Sequence, residues 1–215
     1  PIIATFGNYE LVEMPPNGQG VTAILMKKIL DNFKVYQLDP GGVERAHLEA
    51  EAAKLAYDAR NKMLADPNFY KFNQEEFYSD NVISNFVDLI NPESVLNPII
   101  NNMGPTHKDT VYLTVIDKDR CMVSLIFSIF NSFGSGYASE KFGLLFQNRG
   151  AGFSLQSGHP NEMQGKKRPL HTIIPAFLRK RDNFIMPFGV MGGQYQANGH
   201  VRFISNIIDF DMDVQ

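Results

Sequence analysis

The residue types that could do chemistry in this chain are a threonine and two groups of glycines, each placed beside an apolar segment. Asp109-Thr110 lies between a long polar loop and an apolar run, which places the Thr110 hydroxyl at the edge of a predicted sheet. Residues 134–136 (Gly-Ser-Gly) and 192–193 (Gly-Gly) each follow an apolar segment. Glycine lets backbone N–H groups approach a bound molecule closely, as the stabilisation of an oxyanion requires. Taken one at a time, these features are typical of ordinary strand starts and tight turns.

The candidate threonine begins a predicted β-hairpin. Residues 110–116 are rich in β-branched and aromatic side chains, and residues 122–130 form a second apolar run. The polar residues 117–120 between them predict the turn. Both runs are apolar on both faces, so we expect a sheet that is covered on both sides. Further elements are predicted after the hairpin: strands at residues 144–147, 170–178 and 184–189, and a helix at residues 200–210.

The part of the chain before Thr110 is predicted to be mostly helical. Apolar residues recur at helical spacing in residues 21–33 and 44–64, and a shorter helix is predicted over residues 80–90. Acidic residues outnumber basic ones before Thr110, whereas the balance is reversed after it and glycine becomes more frequent. Two segments of different composition therefore meet near Thr110.

The composition argues against several classes of protein. The 215 residues carry 20 Lys and Arg against 23 Asp and Glu, which argues against a nucleic-acid binder that relies on a basic surface. No apolar run reaches the roughly 18 residues that suggest a membrane span. The single cysteine, Cys121, cannot form an internal disulfide, and no Cys/His spacing typical of zinc is present, so we expect no metal. With no secretory signal at its start, the chain is expected to be cytoplasmic rather than secreted.

Several spaced motifs, taken together, resemble the γ-glutamyltranspeptidase family. In chain order they are PNGQG (16–20), ERAH (44–47), AYDAR (56–60), HKDTVYLTVIDKD (107–119), NSFGSG (131–136), LLFQNRGAGFS (144–154), KKRPLHTIIPAF (166–177) and FGVMGG (188–193). The resemblance covers nearly the whole chain. It implies an α+β fold, the four-layer αββα sandwich of the N-terminal-nucleophile hydrolases.

The resemblance also implies roles for the candidate residues. Family members are made as single-chain precursors that cut themselves before a threonine, which corresponds here to the Asp109–Thr110 bond. Thr110 is then the nucleophile, and its freed α-amine, with an intrinsic pKa of about 8, is the base. Ser128 matches a supporting hydroxyl, and Gly192 and Gly193 match the oxyanion-binding glycines. No cofactor is implied.

Several positions depart from the pattern of true γ-glutamyl enzymes. In those enzymes an Asn and an Asp hold the α-amino and α-carboxylate groups of the substrate. Here Phe130 and Gly152 occupy the two corresponding positions, and His171-Thr172 occupies the position of a Ser-Ser pair. Arg149 replaces an amide side chain, and it either binds an anion or forms a structural ion pair. A charged head group facing Phe130 would lack partners. We therefore expect another small amide, such as an oxamate-type one with its carboxylate on Arg149.

The same resemblance implies that the chain is part of a longer protein. Residues 1–109 correspond to the C-terminal part of a large-subunit segment and residues 110–215 to the N-terminal part of a small-subunit segment, in one fold with the processing site between them. The expected partners are the small amide and the rest of both subunits, in a cleaved heterodimer, without nucleic acid or membrane. Two alternatives stay open: a genuine glutathione hydrolase or transpeptidase, and a catalytically silent relative that acts as a binding protein.

Overall fold

Strands from both sides of Thr110 in the sequence share one sheet. The computed structural model describes residues 1–97, 110–180 and 184–214. The strands are β1 (Ile2–Phe6), β2 (Tyr9–Glu13), β3 (Thr110–Ile116), β4 (Met122–Ser128), β5 (Ala138–Ser139), β6 (Leu144–Leu145), β7 (Ala176–Lys180) and β8 (Phe184–Phe188). The largest sheet is antiparallel with the order β1-β2-β7-β8, while β3–β4 and β5–β6 are separate hairpins.

Helices cover one face of the four-stranded sheet. They are α1 (Gly20–Asp31), α2 (Val43–Met63), α3 (Gln74–Phe77), α4 (Asp80–Val87) and α5 (Gln196–Ile208). Alternate residues of β1 are buried because a strand turns successive side chains to opposite faces. Ile2, Ala4 and Phe6 pack in this way with Ile24 of α1 and Ile204 of α5. A second apolar cluster joins α1 to α2, so α1 is buried on nearly every side.

The β3–β4 hairpin carries Thr110 and contacts β8. Its register pairs Thr110 with Ser128, and the hydroxyl of Ser124 donates to the carbonyl of Phe188 at 3.3 Å. A Cβ on Gly189 would lie only 2.6 Å from two carbons of the Tyr112 ring, so glycine is required for this close approach. Among the described residues only one face of this hairpin is covered, and the expectation of a sheet covered on both sides stays a prediction for the complete protein. The other face is exposed in the described part of the chain: Val111, Leu113, Val115, Val123, Leu125 and Phe127.

The α+β class and most of the predicted elements are confirmed. The first segment is less helical than predicted, however, because β1 and β2 form a hairpin around Gly7, whose φ is +58°. The strand predicted over residues 170–178 begins only at Ala176. The preceding backbone N–H groups have other partners, since that of His171 donates to the Asn17 carbonyl and that of Ile174 to the Gln196 side chain. The last helix begins earlier than predicted, at Gln196.

The described residues contain neither a membrane-spanning helix nor a cluster of metal-binding side chains. No helix in these parts of the chain is long and apolar enough to cross a membrane. No group of three or more His, Cys, Asp or Glu side chains that could hold a metal ion occurs within residues 1–97, 110–180 and 184–214.

Candidate active site

Thr110 lies at the first position of β3 with its hydroxyl against Ser128. The Thr110 hydroxyl donates to Ser128 Oγ at 3.2 Å, and the same oxygen accepts from the backbone N–H of Phe130 at 3.0 Å. The predicted nucleophile, its supporting hydroxyl and one predicted substrate-binding residue are therefore in direct contact. Asp109, the other residue of the predicted cleavage site, lies outside the described residues.

Gly192 and Gly193 form a turn between β8 and α5 that only glycine adopts without strain. Their φ angles are +132° and +57°, in the left-handed region. Within the described parts of the chain, neither N–H donates a hydrogen bond to a protein acceptor. Gly193 is buried, and a buried N–H group without a partner costs free energy. The turn thus offers two donors of the kind that binds an oxyanion.

A cavity of about 460 Å³ lies beside these elements. Three predicted substrate-binding residues, Phe130, Gly152 and Thr172, line it, together with Arg60 and Gln194. No Asp or Glu of the described residues lines this cavity. A Cβ on Gly152 would lie 3.0 Å from the Leu170 carbonyl oxygen, so the position where γ-glutamyl enzymes carry an Asp is tightly packed here.

Arg149 is a buried cation beside this cavity. Its Nη1 donates to Thr172 Oγ1 at 2.7 Å, and its guanidinium carbon lies 4.4 Å from the centre of the Phe130 ring. Nη2 is buried and has no hydrogen-bond partner among the described residues. Burial lowers the pKa of Arg149 to about 10, so the side chain stays positively charged at neutral pH. No carboxylate of the described residues pairs with it, which disfavours the structural ion-pair alternative.

Phe130 is held in an unusual backbone conformation. Its φ is +78°, which is rare for a residue with a bulky side chain and signals local strain. The N–H of Phe130 donates to Ser128 Oγ, and its ring lies against Arg149. Phe130 thus connects the nucleophile's supporting hydroxyl to the buried cation.

His171 faces a different space from its neighbour Thr172. It lines a second cavity of about 430 Å³, which is mostly apolar and also contacts Ile126 and Ile173. Burial and the nearby positive charge of Arg149 lower the pKa of His171 to about 4. The imidazole is therefore neutral at neutral pH. The structure does not bring His171 to the cavity that Phe130, Gly152 and Thr172 share.

Comparisons with known proteins place this arrangement in a family. A family model described as γ-glutamyltranspeptidase matches residues 1–215, the whole chain. The chain belongs to the γ-glutamyltranspeptidase family. The resemblance seen in the sequence motifs is thereby confirmed, and with it the α+β fold of the N-terminal-nucleophile hydrolases.

The family relatives carry several different names. The chain is 32% identical over 215 residues to the glutathione hydrolase-like YwrD proenzyme of Bacillus subtilis (strain 168), covering 100% of this chain and 40% of that protein. It is 32% identical over 198 residues to the oxamate amidohydrolase proenzyme of Klebsiella pneumoniae, covering 92% of this chain and 37% of that protein. The crystal structure of cephalosporin acylase from Bacillus halodurans superposes with a TM-score of 0.88 at 38% identity, covering 100% of this chain and 38% of the acylase. The chain thus spans about two fifths of the length of the curated relatives it matches.

Three polar residues beside the family's glycine pair had no predicted role. Gln19 and Arg60 fall in the PNGQG and AYDAR motifs, and Gln194 directly follows Gly193. The Arg60 Nη1 donates to the side-chain oxygens of both Gln19 and Gln194. For Gln19 and Arg60 the signal in the sequence is membership of these two motifs, whereas Gln194 has only its position after the glycine pair. Only the fold brings residues 19, 60 and 194 together.

Proposed function

We propose that this chain forms the nucleophile-bearing part of a self-processing amidohydrolase that cleaves a small, carboxylate-bearing amide. The observation that carries the proposal is the buried Nη2 of Arg149, which has no partner among the described residues. Arg149 contacts Phe130 and Thr172, both of which line the cavity, and Phe130 contacts the Ser128 hydroxyl that accepts from Thr110. Neither Thr110 nor Arg149 is itself a lining residue, so these contacts are what link the proposed nucleophile and the unsatisfied cation to the cavity.

The proposed reaction uses the Thr110 hydroxyl and amine in turn. After cleavage of the Asp109–Thr110 bond, the α-amine of Thr110 takes the hydroxyl proton while Oγ1 attacks the amide carbonyl. The N–H groups of Gly192 and Gly193 stabilise the resulting oxyanion, and each such donor contributes about 2.7–4 kcal/mol in the transition state. The C–N bond then breaks, and the protonated α-amine gives its proton to the leaving amine. Water, or an acceptor amine in a transfer reaction, attacks the ester and regenerates Thr110.

The charge of the cavity favours an anionic substrate. A buried guanidinium binds a carboxylate through charge-assisted hydrogen bonds, in which the planar nitrogens match the two oxygens. The cavity has no acidic lining residue among those described, so no carboxylate there would pair with the α-amino group of a γ-glutamyl substrate. One of the relatives is named oxamate amidohydrolase, and an oxamate-type amide has a carboxylate directly beside the scissile carbonyl. This class is our first candidate.

Maturation is tested by intact mass spectrometry of the complete protein that contains this chain. We expect two fragments, one with Thr110 at its N-terminus, and a single uncut chain for Thr110→Ala. Relatives named as proenzymes support this expectation, as well as a heterodimer of the cleaved parts. A wild-type protein that stays intact, hydrolyses no amide and takes no label from a Thr-directed acylating reagent would instead be a silent binding protein.

Specificity is tested with a panel of amides on wild type and Arg149→Gln. Charge-assisted hydrogen bonds contribute about 1.5–3 kcal/mol, so we expect kcat/KM for an oxamate-type amide to fall about 10- to 150-fold. Neutral amides of the same size should lose much less. The matched control is Arg179→Gln, because Arg179 of β7 pairs with Glu10 on the neighbouring strand β2 and does not line the cavity. A higher wild-type rate on a γ-glutamyl anilide than on the carboxylate-bearing amides would favour the glutathione hydrolase alternative.

A further inference from the structure

Gln19 is a fully buried side chain that joins two parts of the candidate site. It precedes α1, and its Nε2 donates to the carbonyl of Thr172 at 2.7 Å and to the carbonyl of Gly193 at 2.9 Å. The Thr172 hydroxyl accepts from Arg149, and Gly193 belongs to the turn with the unpaired N–H groups. A single amide group is therefore bonded both to the residue beside the buried cation and to the glycine turn.

Arg60 fixes the orientation of that amide. A guanidinium has donors only, so the group that faces it must be an acceptor. Arg60 Nη1 donates to Gln19 Oε1 at 2.6 Å, which turns Nε2 of the same amide toward the two carbonyls. A flipped Gln19 amide would set donor against donor at Arg60 and acceptor against acceptor at Thr172 and Gly193.

Arg60 is itself held by neutral groups. Its guanidinium lies 4.7 Å from the centre of the Tyr57 ring, and it also donates to the side chains of Asn61 and Gln194. The Tyr57 hydroxyl donates to the Gln194 carbonyl at 2.5 Å, which adds a second tie to the residue after Gly193. Burial lowers the pKa of Arg60 to about 10, so it remains charged at neutral pH. No carboxylate among the described residues competes for it.

The glycine turn needs such external support because it has no side chains of its own. The Gly192 carbonyl accepts from Tyr195 N at 3.1 Å, and the Gly193 carbonyl accepts from Gln196 N and from Gln19. These bonds restrict the peptide planes of two residues that, as glycines, have the freest backbone of any residue type. The Gly192 carbonyl shares a peptide plane with the Gly193 N–H, so the Tyr195 bond sets the direction of that donor, and the Gln19 bond holds the Gly193 carbonyl on the other side of the same residue.

We propose that Gln19, oriented by Arg60, is a positioning residue that holds the Gly193 turn at a set distance from Thr172 and Arg149. The proposal rests on the proposed function, in which the turn binds the oxyanion and Arg149 binds the substrate carboxylate. In a small amide these two charges are only a few bonds apart. A single side chain bonded to both parts of the site, the Gln19 amide, is therefore suited to keeping the glycine turn and Arg149 at a fixed separation.

The test compares Gln19→Met with Gln196→Met in the complete protein. Both glutamines are fully buried and both changes keep a similar side-chain volume; Gln196→Met removes the one hydrogen bond from Ile174 N, whereas Gln19→Met removes the bonds to Thr172, Gly193 and Arg60. Only the Gln19 side chain bonds to Gly193 and Thr172. We expect kcat to fall about 10- to 100-fold for Gln19→Met, since a misplacement of about 1 Å costs up to about 100-fold. KM should change less than about threefold, because oxyanion contacts act in the transition state.

A second variant keeps the test informative if Gln19→Met does not fold. Gln19→Glu retains an acceptor for Arg60 but removes both donors, so it should show the same selective loss of kcat. Equal effects of the Gln19 and Gln196 variants on kcat, or a Gln19 variant that raises KM alone, would overturn the proposal. A wild type that is neither cleaved at Thr110 nor active on amides would instead refute the proposed function. The two failures are thus distinguishable.

Discussion

The close approach of Gly189 to Tyr112 predicts that one added methyl group will displace the nucleophile. In Gly189→Ala the new Cβ would lie 2.6 Å from two carbons of the Tyr112 ring, whereas ordinary contacts begin at 3.4 Å. The ring or the end of β8 must therefore move by about 0.8 Å. Tyr112 follows Thr110 by two residues on the same strand, so both side chains lie on the same face.

The size of the effect follows from overpacking and from the distance moved. Extra methyl groups in packed sites cost about 1–3 kcal/mol in the free energy of unfolding, which urea denaturation measures. A shift approaching 1 Å at Thr110 should also slow its labelling by an acylating reagent about 10- to 100-fold. The control is Gly165→Ala, because no atom lies within 4 Å of a Cβ there and neither glycine has a positive φ.

A double-mutant cycle with Tyr112→Ala decides whether the reasoning is right. Removal of the ring makes room for the methyl group, so Gly189→Ala should then cost less than about 0.5 kcal/mol. The coupling free energy should be about 1–3 kcal/mol. If Gly189→Ala costs the same with and without the Tyr112 ring, the steric argument is refuted.

Two further predictions concern the buried titratable groups. The pKa of His171 is about 4 in the folded protein, below its unfolded value of 6.5. The stability that the neutral imidazole contributes is therefore complete above pH 6.5 and declines as the pH falls toward 4. Between pH 7 and pH 4 the melting temperature of His171→Asn should accordingly fall less than that of wild type. His200 Nδ1 lies 2.6 Å from Glu13 Oε1 with both side chains fully buried, so His200→Leu should leave a buried carboxyl oxygen without its hydrogen-bond partner and cost about 1–3 kcal/mol in urea denaturation at pH 7. That loss should shrink on acidification, because burial raises the pKa of Glu13 and a protonated carboxyl is less costly to leave unpaired than a carboxylate; an undiminished loss at pH 4 would contradict this expectation.

The parts of the fold that local sequence decides could be predicted. The periodic helices α1 and α2 and the hairpin around residues 117–120 are examples, since one turn fixes the register of the two flanking strands. That register alone pairs Thr110 with Ser128. The β1–β2 hairpin was missed, although its five-residue strands flank the turn residues Gly7 and Asn8, because each strand is short.

The network behind the glycine turn could not be predicted from local patterns. Gln19 and Gly193 are 174 residues apart in the sequence, and their contact depends on the packing of α1 and α5. The spacing of apolar residues predicts which face of an element is buried, but it does not predict the hydrogen-bond partners of a buried amide. The same limit applies to the wrong strand start at residue 170, because the competing partner of Ile174 N is the side chain of Gln196, from a later helix.

Two departures from the γ-glutamyl pattern act as one structural unit. The Phe130 ring covers the guanidinium of Arg149 at 4.4 Å, a cation–π contact that partly offsets the burial of an unpaired charge. An Asn at position 130 would remove that contact, and an amide at position 149 would leave the ring without its cation. Neither single reversal therefore restores the γ-glutamyl arrangement, and each leaves the other residue less well satisfied. Under the proposed function, the substitution of both residues, together with glycine at position 152, would change a cavity that binds both charges of an amino acid into one that binds an anion.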